Sequence, residues 1–265
     1  MLVLGAMLMA GPGNVLFAQQ EYRIKVENSK DVKLSLEEFR GELPIEGYAG
    51  DEIIISTKGE AHWNETPERA KGLKPIYGGG NDNTGLGLNV EKNGKDITVR
   101  CLLAITQSHP DYKVKVPENL YLRIQSECGG GGAIRVENYK GELEINSCHS
   151  ILLRNVTGPL VLSNISGGIT VAFKELNKDK PISIASVSGE VDVTLPANAP
   201  IDLEMSTVSG NMYSDFDLQT ENKNMRRVGG GNLNFHLNGG GTSVQLHTVS
   251  GNIYLRKAGG SDKPA

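Results

Sequence analysis

Chemistry needs titratable or nucleophilic side chains held together, and this chain offers few sets of that kind. The fullest is a series of carboxylates on alternating positions: Glu142 and Glu144, Glu190 and Asp192, Asp202 and Glu204. Clustered on one outward face, such residues could serve a polysaccharide-cleaving β-helix enzyme, whose reaction needs carboxylates gathered at one point. Counting coils places Asp202 and Glu204 two coils beyond Glu144, with Glu190 and Asp192 on the opposite face. The carboxylates are therefore expected to scatter, and no catalytic residue is assigned.

Other constellations are thinner. Cys148-His149 is a single adjacent pair, a poor zinc signal without a second pair at ligand spacing. His236 and His247 fall on strands expected to belong to different faces. Asn81-Asp82-Asn83 opens like a calcium loop but lacks the downstream bidentate glutamate. Asn64, Asn155 and Asn164 each start an Asn-X-Ser/Thr glycosylation pattern, read as coincidental. No cofactor and no metal site is expected. Tyr213 and Tyr254 follow a repeated glycine at the same offset. With Glu144 and Asp192 they are the residues expected to form a spread, noncatalytic contact surface.

What must position these side chains is a repeat. Val208-Ser209-Gly210-Asn211-Met212-Tyr213 returns as Val249-Ser250-Gly251-Asn252-Ile253-Tyr254, and more loosely as Val187-Ser188-Gly189 and Ile165-Ser166-Gly167. The glycines Gly167, Gly189, Gly210 and Gly251 are spaced 22, 21 and 41 residues apart. A fixed period marks a stacked architecture, in which one unit cannot bury its apolar face alone. Inside it runs a finer pattern: a glycine, or a small or polar substitute, then two apolar residues separated by one polar residue. Gly132 leads to Ile134 and Val136, Gly141 to Leu143 and Ile145, Gly231 to Leu233 and Phe235. Strict alternation is the signature of a strand with one buried face.

Two such strands fit each period of about 20 residues, predicting a parallel β-solenoid with two short strands per coil. The alternative weighed is an antiparallel sandwich, which also gives short strands at 8–12-residue spacing. In the solenoid, Ile169, Val191, Met212 and Ile253 share one inward ladder, with Met212 and Ile253 separated by a coil through Leu233. Cys128 and Cys148 are one period apart, so they fall within disulfide reach on adjacent coils. Their bonding is left open, and all three cysteines, including Cys101, are read as small buried hydrophobes.

The remaining organisation follows in order. Residues 1–18 read as an export signal: Met1–Ala10 is apolar, and a Gly-Pro-Gly break precedes Val15-Leu16-Phe17-Ala18, though no Lys or Arg precedes Arg23. The stretch is too short to span a membrane stably. Residues 19–258 form one solenoid domain, with an irregular insertion at 59–85, and 259–265 is a tail. Asn93-Gly94 between two alternating runs predicts a hairpin. A formal net charge of −4 without basic clusters excludes a nucleic-acid footprint. The exported chain is placed in the periplasm or at the cell surface.

Three stretches carry a family resemblance: Gly47-Tyr48-Ala49-Gly50-Asp51-Glu52-Ile53, Tyr112-Lys113-Val114-Lys115-Val116-Pro117, and Leu246-His247-Thr248-Val249-Ser250-Gly251-Asn252-Ile253-Tyr254. Together they resemble the bacterial putative-adhesin family of exported β-strand-repeat proteins, the domain of unknown function 4097 type, often met in Bacteroidetes. The resemblance implies an exported β-repeat fold, an adhesin-like envelope or surface role, and protein or glycan partners. It supplies no catalytic residues, because its motifs are corners and strands.

Overall fold

A computed structural model of the chain describes residues 20–58, 69, 82–103, 110–178, 180–218 and 231–259. Among the described residues twenty strands follow one another with almost no helix. In chain order they begin with β1 (Gln20–Lys25), β2 (Lys33–Glu37), β3 (Leu43–Tyr48), β4 (Glu52–Lys58), β5 (Leu88–Asn93), β6 (Asp96–Cys101) and β7 (Asp111–Pro117). Next come β8 (Tyr121–Gln125), β9 (Ile134–Tyr139), β10 (Leu143–Ser147), β11 (Ile151–Val156), β12 (Leu160–Ser166), β13 (Ile169–Phe173), β14 (Ile182–Ser188) and β15 (Val191–Leu195). The last are β16 (Ile201–Ser209), β17 (Met212–Ser214), β18 (Gly231–Leu237), β19 (Thr242–Ser250) and β20 (Ile253–Lys257). The predicted export signal, all but residues 69 and 82–85 of the insertion, and all but Gly259 of the tail lie outside the described residues.

The strands build two ten-stranded sheets whose inward side chains meet in one core. From β8 to β15 the chain alternates between them, one strand in each per coil, and every pairing is parallel. In the first sheet Ile134, Ile151, Ile169 and Val191 stand in register, and in the second Leu122, Leu143, Leu160 and Ile182 do. None of these eight exceeds 3% exposure. Burying each such side chain contributes about 1.5–3 kcal/mol, and stacking like on like leaves few voids. The fold is the predicted all-β parallel solenoid, and the antiparallel sandwich is excluded by the pairing.

At the ends, spatial order departs from chain order. The last coil, β19 and β20, inserts between the coil of β14 and β15 and the coil of β16 and β17. Ile169, Val191, Ile253 and Met212 do share one ladder, but Met212 pairs directly with Ile253 and no coil lies between them. Leu233 sits instead on β18, an antiparallel edge strand of the second sheet, opposite Met205. The other end mirrors this arrangement: β2 and β3 lie between the coil of β6 and β7 and the coil of β8 and β9. Antiparallel strands then close the end, β5 on β6 through the predicted Asn93-Gly94 turn, and β4 on β7 with β1 beyond it.

The recurring Ser-Gly corner has a packing cause. A Cβ built on Gly189 would lie 2.0 Å from the Gly167 carbonyl oxygen, on Gly251 2.1 Å from that of Gly189, and on Gly210 1.9 Å from that of Gly251. The glycines therefore form a column in which each backbone occupies the space a side chain would need. Thr207 and Thr248 reinforce it from inside, their hydroxyls donating to the carbonyls of Gly251 and Gly189 at 3.3 Å. At the first of the central coils, Cys128 and Cys148 are joined by a disulfide with a Cα separation of 5.2 Å. Those two are thus not free hydrophobes. Cys101 is, buried with its thiol pKa pushed up by loss of solvent.

Candidate functional site

Three of the four expected contact residues gather on the first sheet. Tyr213, Tyr254 and Asp192 occupy consecutive outward positions of one row, because β17, β20 and β15 are neighbours. The two rings stack with centroids 5.3 Å apart and an interplanar angle of 12°. Such a pair contributes about 0.5–1.5 kcal/mol beyond its area. Tyr213, on the edge strand, remains 51% exposed. The Tyr254 hydroxyl donates to Glu190 at 3.1 Å and accepts from the Asn252 amide at 3.1 Å. Arg256 lies 5.6 Å from the Tyr254 ring centre and grips both Asp192 oxygens through Nε, at 2.8 and 3.1 Å. The result is a half-exposed aromatic step bordered by fixed acceptors and a guanidinium.

Glu144 lies on the other sheet. It accepts from the Tyr121 hydroxyl and from Asn146, and pairs with Arg123 at 3.4 Å. Partial burial, aided by this carboxylate, pushes the Tyr121 phenol up to about 12. Glu142 is held by Lys180 at 2.5 Å. Glu204 stands four strands from Glu144 rather than two coils, because β14 and β19 both intervene along with β12. It accepts from Asn232 and Gln245. Asp202 bonds His236 at 2.6 Å, and that bond holds its pKa below the usual carboxylate value.

His236 and His247 are on the same sheet, not on different faces, since β18, β16 and β19 are adjacent. They still do not meet, being two strands and several residues apart. His247 Nδ1 instead shares a 2.7 Å hydrogen bond with Ser206, a pair the sequence reading missed. Its signal was present: Ser206 precedes His247 by the same 41 residues that separate Gly210 from Gly251. A serine bonded to an imidazole is one element of nucleophilic machinery, which also needs a group to orient the base. The described residues supply no carboxylate to His247.

The remaining candidates serve structure. Asp82 accepts from the backbone of Thr84, Gly85 and Gly87, and Asn83 bonds both polar groups of Val90, so this loop is a self-satisfied turn. Asn164 is buried, its amide donating to the His149 carbonyl at 2.9 Å, and Asn155 donates to Asn138. Among the described residues no group of three or more His, Cys, Asp or Glu side chains could hold a metal ion. A groove of about 420 Å³, lined by Glu37, Glu127, Gln125, Asn146 and Ile165, also escaped the sequence reading. Its walls come from β2, β10, β12 and the corner after β8, and its carboxylates pair with Arg100 and Arg40.

The family model of Toastrack DUF4097 matches residues 88–256. No curated protein matches the chain. Among solved structures, a putative cell adhesion protein from Clostridium sporogenes aligns over 91% of this chain and 100% of its own, with 13% identity and a TM-score of 0.45. A putative adhesin from Bacteroides fragilis aligns over 91% and 97%, with 8% identity and a TM-score of 0.32. One from Parabacteroides merdae aligns over 91% and 96%, with 10% identity and the same score of 0.32.

Proposed function

Because the chain belongs to the Toastrack DUF4097 family, we propose that it is a noncatalytic, adhesin-like protein of the cell envelope or surface. On this reading it presents its two outward sheet faces to a protein or glycan partner. The observation that carries this is the Tyr213–Tyr254 step, half exposed on the first sheet with Glu190, Asn252, Asp192 and Arg256 around it. Flat aromatic faces bordered by hydrogen-bonding groups suit contact by stacking, and recognition of this kind is spread over many small terms. Glu144 would contribute from the opposite face in the same graded way.

Export is supported by the Cys128–Cys148 disulfide, which persists in oxidising compartments. No helix among the described residues is long and apolar enough to cross a membrane. We read residues 19–258 as one domain behind an export signal at 1–18, placed in the periplasm or on the surface. Catalysis needs two or more groups held together with matched pKa values, and the carboxylates here divide between two faces, most of them paired with cations or amides.

A glycan array run beside an assay for released reducing ends tests both parts. The expected outcome is binding without turnover, with Tyr213→Ala weakening it by about tenfold or less, as for one aromatic contact. Turnover that is lost in Glu144→Gln or Asp192→Asn, with folding intact, would establish the polysaccharide-active alternative.

A further inference from the structure

We propose that β18 is a self-association edge, along which two copies of this chain pair antiparallel over Gly231–Leu237 about a twofold axis at Asn234. An edge strand presents unpaired N–H and C=O groups, and natural sheets guard such edges with charge or short length. Among the described residues the two sheets have four edges, and three of them are guarded in these ways. β1 carries Glu21, Arg23 and Lys25, β5 carries Glu91 and Lys92, and β17 is only 3 residues long. β18 is 7 residues long and has neither acid nor ammonium. Its one titratable group, His236, is already bonded to Asp202 of its own chain.

The inner face of β18 is also incompletely covered. Met205, Leu203 and Ile201, one strand further in, are 1%, 2% and 0% exposed. Their partners on β18 are Leu233, Phe235 and Leu237, of which Leu233 and Leu237 are only partly buried. A strand added outside β18 would complete this layer.

A second copy supplies a matching strand. With the axis at Asn234, Leu233 of one copy faces Phe235 of the other on the apolar side. On the polar side Asn232 faces His236, and Asn234 faces its own counterpart. Apolar meets apolar, amide meets imidazole or amide, and no like charges are brought together, which is what cross-strand pairing requires. Main-chain hydrogen bonds would supply the affinity, as in β-augmentation generally. The inference is independent of what the tyrosine face binds.

Sedimentation velocity over a concentration series, on protein purified without reductant, tests it. The wild type should shift from monomer to dimer as concentration rises. Asn234→Lys, which sets two ammonium groups opposite each other, should raise the dimer dissociation constant by about tenfold or more while leaving the melting temperature unchanged at concentrations where the wild type is monomeric. Asn234→Cys is the second test, since facing residues of an antiparallel pair lie about 4.5–5.5 Å apart, within disulfide reach. It should form an interchain disulfide on mild oxidation, whereas Glu91→Cys on β5 should not. A monomer at every concentration, a dimer indifferent to Asn234→Lys, or equal cross-linking at both cysteines would overturn the proposal.

Discussion

The middle of the solenoid and its two ends are built from the same strands but obey different rules. Between β8 and β15, each coil lies on the coil before it in the chain, and every pairing is parallel. At each end, the coil nearest the terminus is instead held second from last, between two others; among the described residues antiparallel strands form three of the four outer edges, and β17 stays parallel to β20. The difference teaches that periodicity sets what a coil looks like, not where it docks. A coil bearing a Ser/Thr-Val-Ser-Gly corner fits any neighbour with a corner of that kind, so β19 and β20 find matching partners on both sides. Neither terminal coil is left with an open edge.

This comparison can be broken most forcefully at the shared ladder. Val191 is fully buried in the middle, while Met212 belongs to the same row at the edge and is only partly buried. Val191→Asp should destabilise the protein by about 4 kcal/mol, as expected for an unpaired buried charge. Met212→Asp should cost less than half as much. Urea denaturation of both variants measures this, and equal losses would mean that the end is as closed as the middle.

Opening the staple between adjacent corners comes next. Cys128 and Cys148 close a loop with a sequence separation of 20, and replacing both by serine should remove about 3 kcal/mol. Hydrogen exchange should quicken first in β8 and β10, with β16 and β18 unaffected. Gly189→Ala should follow at about 2 kcal/mol, because its new methyl meets the Gly167 backbone and not a movable side chain. Gly131→Ala, which meets nothing within 4 Å, should be close to neutral in the same thermal melts.

The smallest effect expected is electrostatic. The bond from His236, together with Gly241 N–H, lowers the Asp202 pKa in the folded state. A depressed carboxylate stabilises the fold above its unfolded pKa, and that contribution is lost as pH falls through the folded value. NMR titration should find Asp202 protonating below the ordinary value of 3.8 in the wild type. In His236→Ala the midpoint should move up toward that value.

Much of the fold was legible because alternation reports directly on which residues face inward. The starts marked by Gly132, Gly141 and Gly231 all lead into observed strands, as do the repeated glycines Gly167, Gly189, Gly210 and Gly251. The candidate site was legible only in part. Tyr213 and Tyr254 could be paired by their common offset from glycine, and their stacking follows from β17 and β20 being neighbours. His236 was misassigned because β18 alternates like the other strands but runs antiparallel. Direction leaves no mark on a pattern of period two.

The sequence by itself determined the coil: its length, its two strands, its inward aliphatic ladder and the glycine where backbones touch. These are local consequences of pleat geometry and corner sterics, so a single repeat suffices to specify them. Only the tertiary structure decided the order in which coils stack, the reversal of β18 and β4, and therefore which outward side chains share a face. The Ser206–His247 bond, the groove between Glu37 and Ile165, and the tyrosine step all depend on that order. Order is set by competition among nearly equivalent edges across long chain separations, and periodic sequence is nearly blind to that competition.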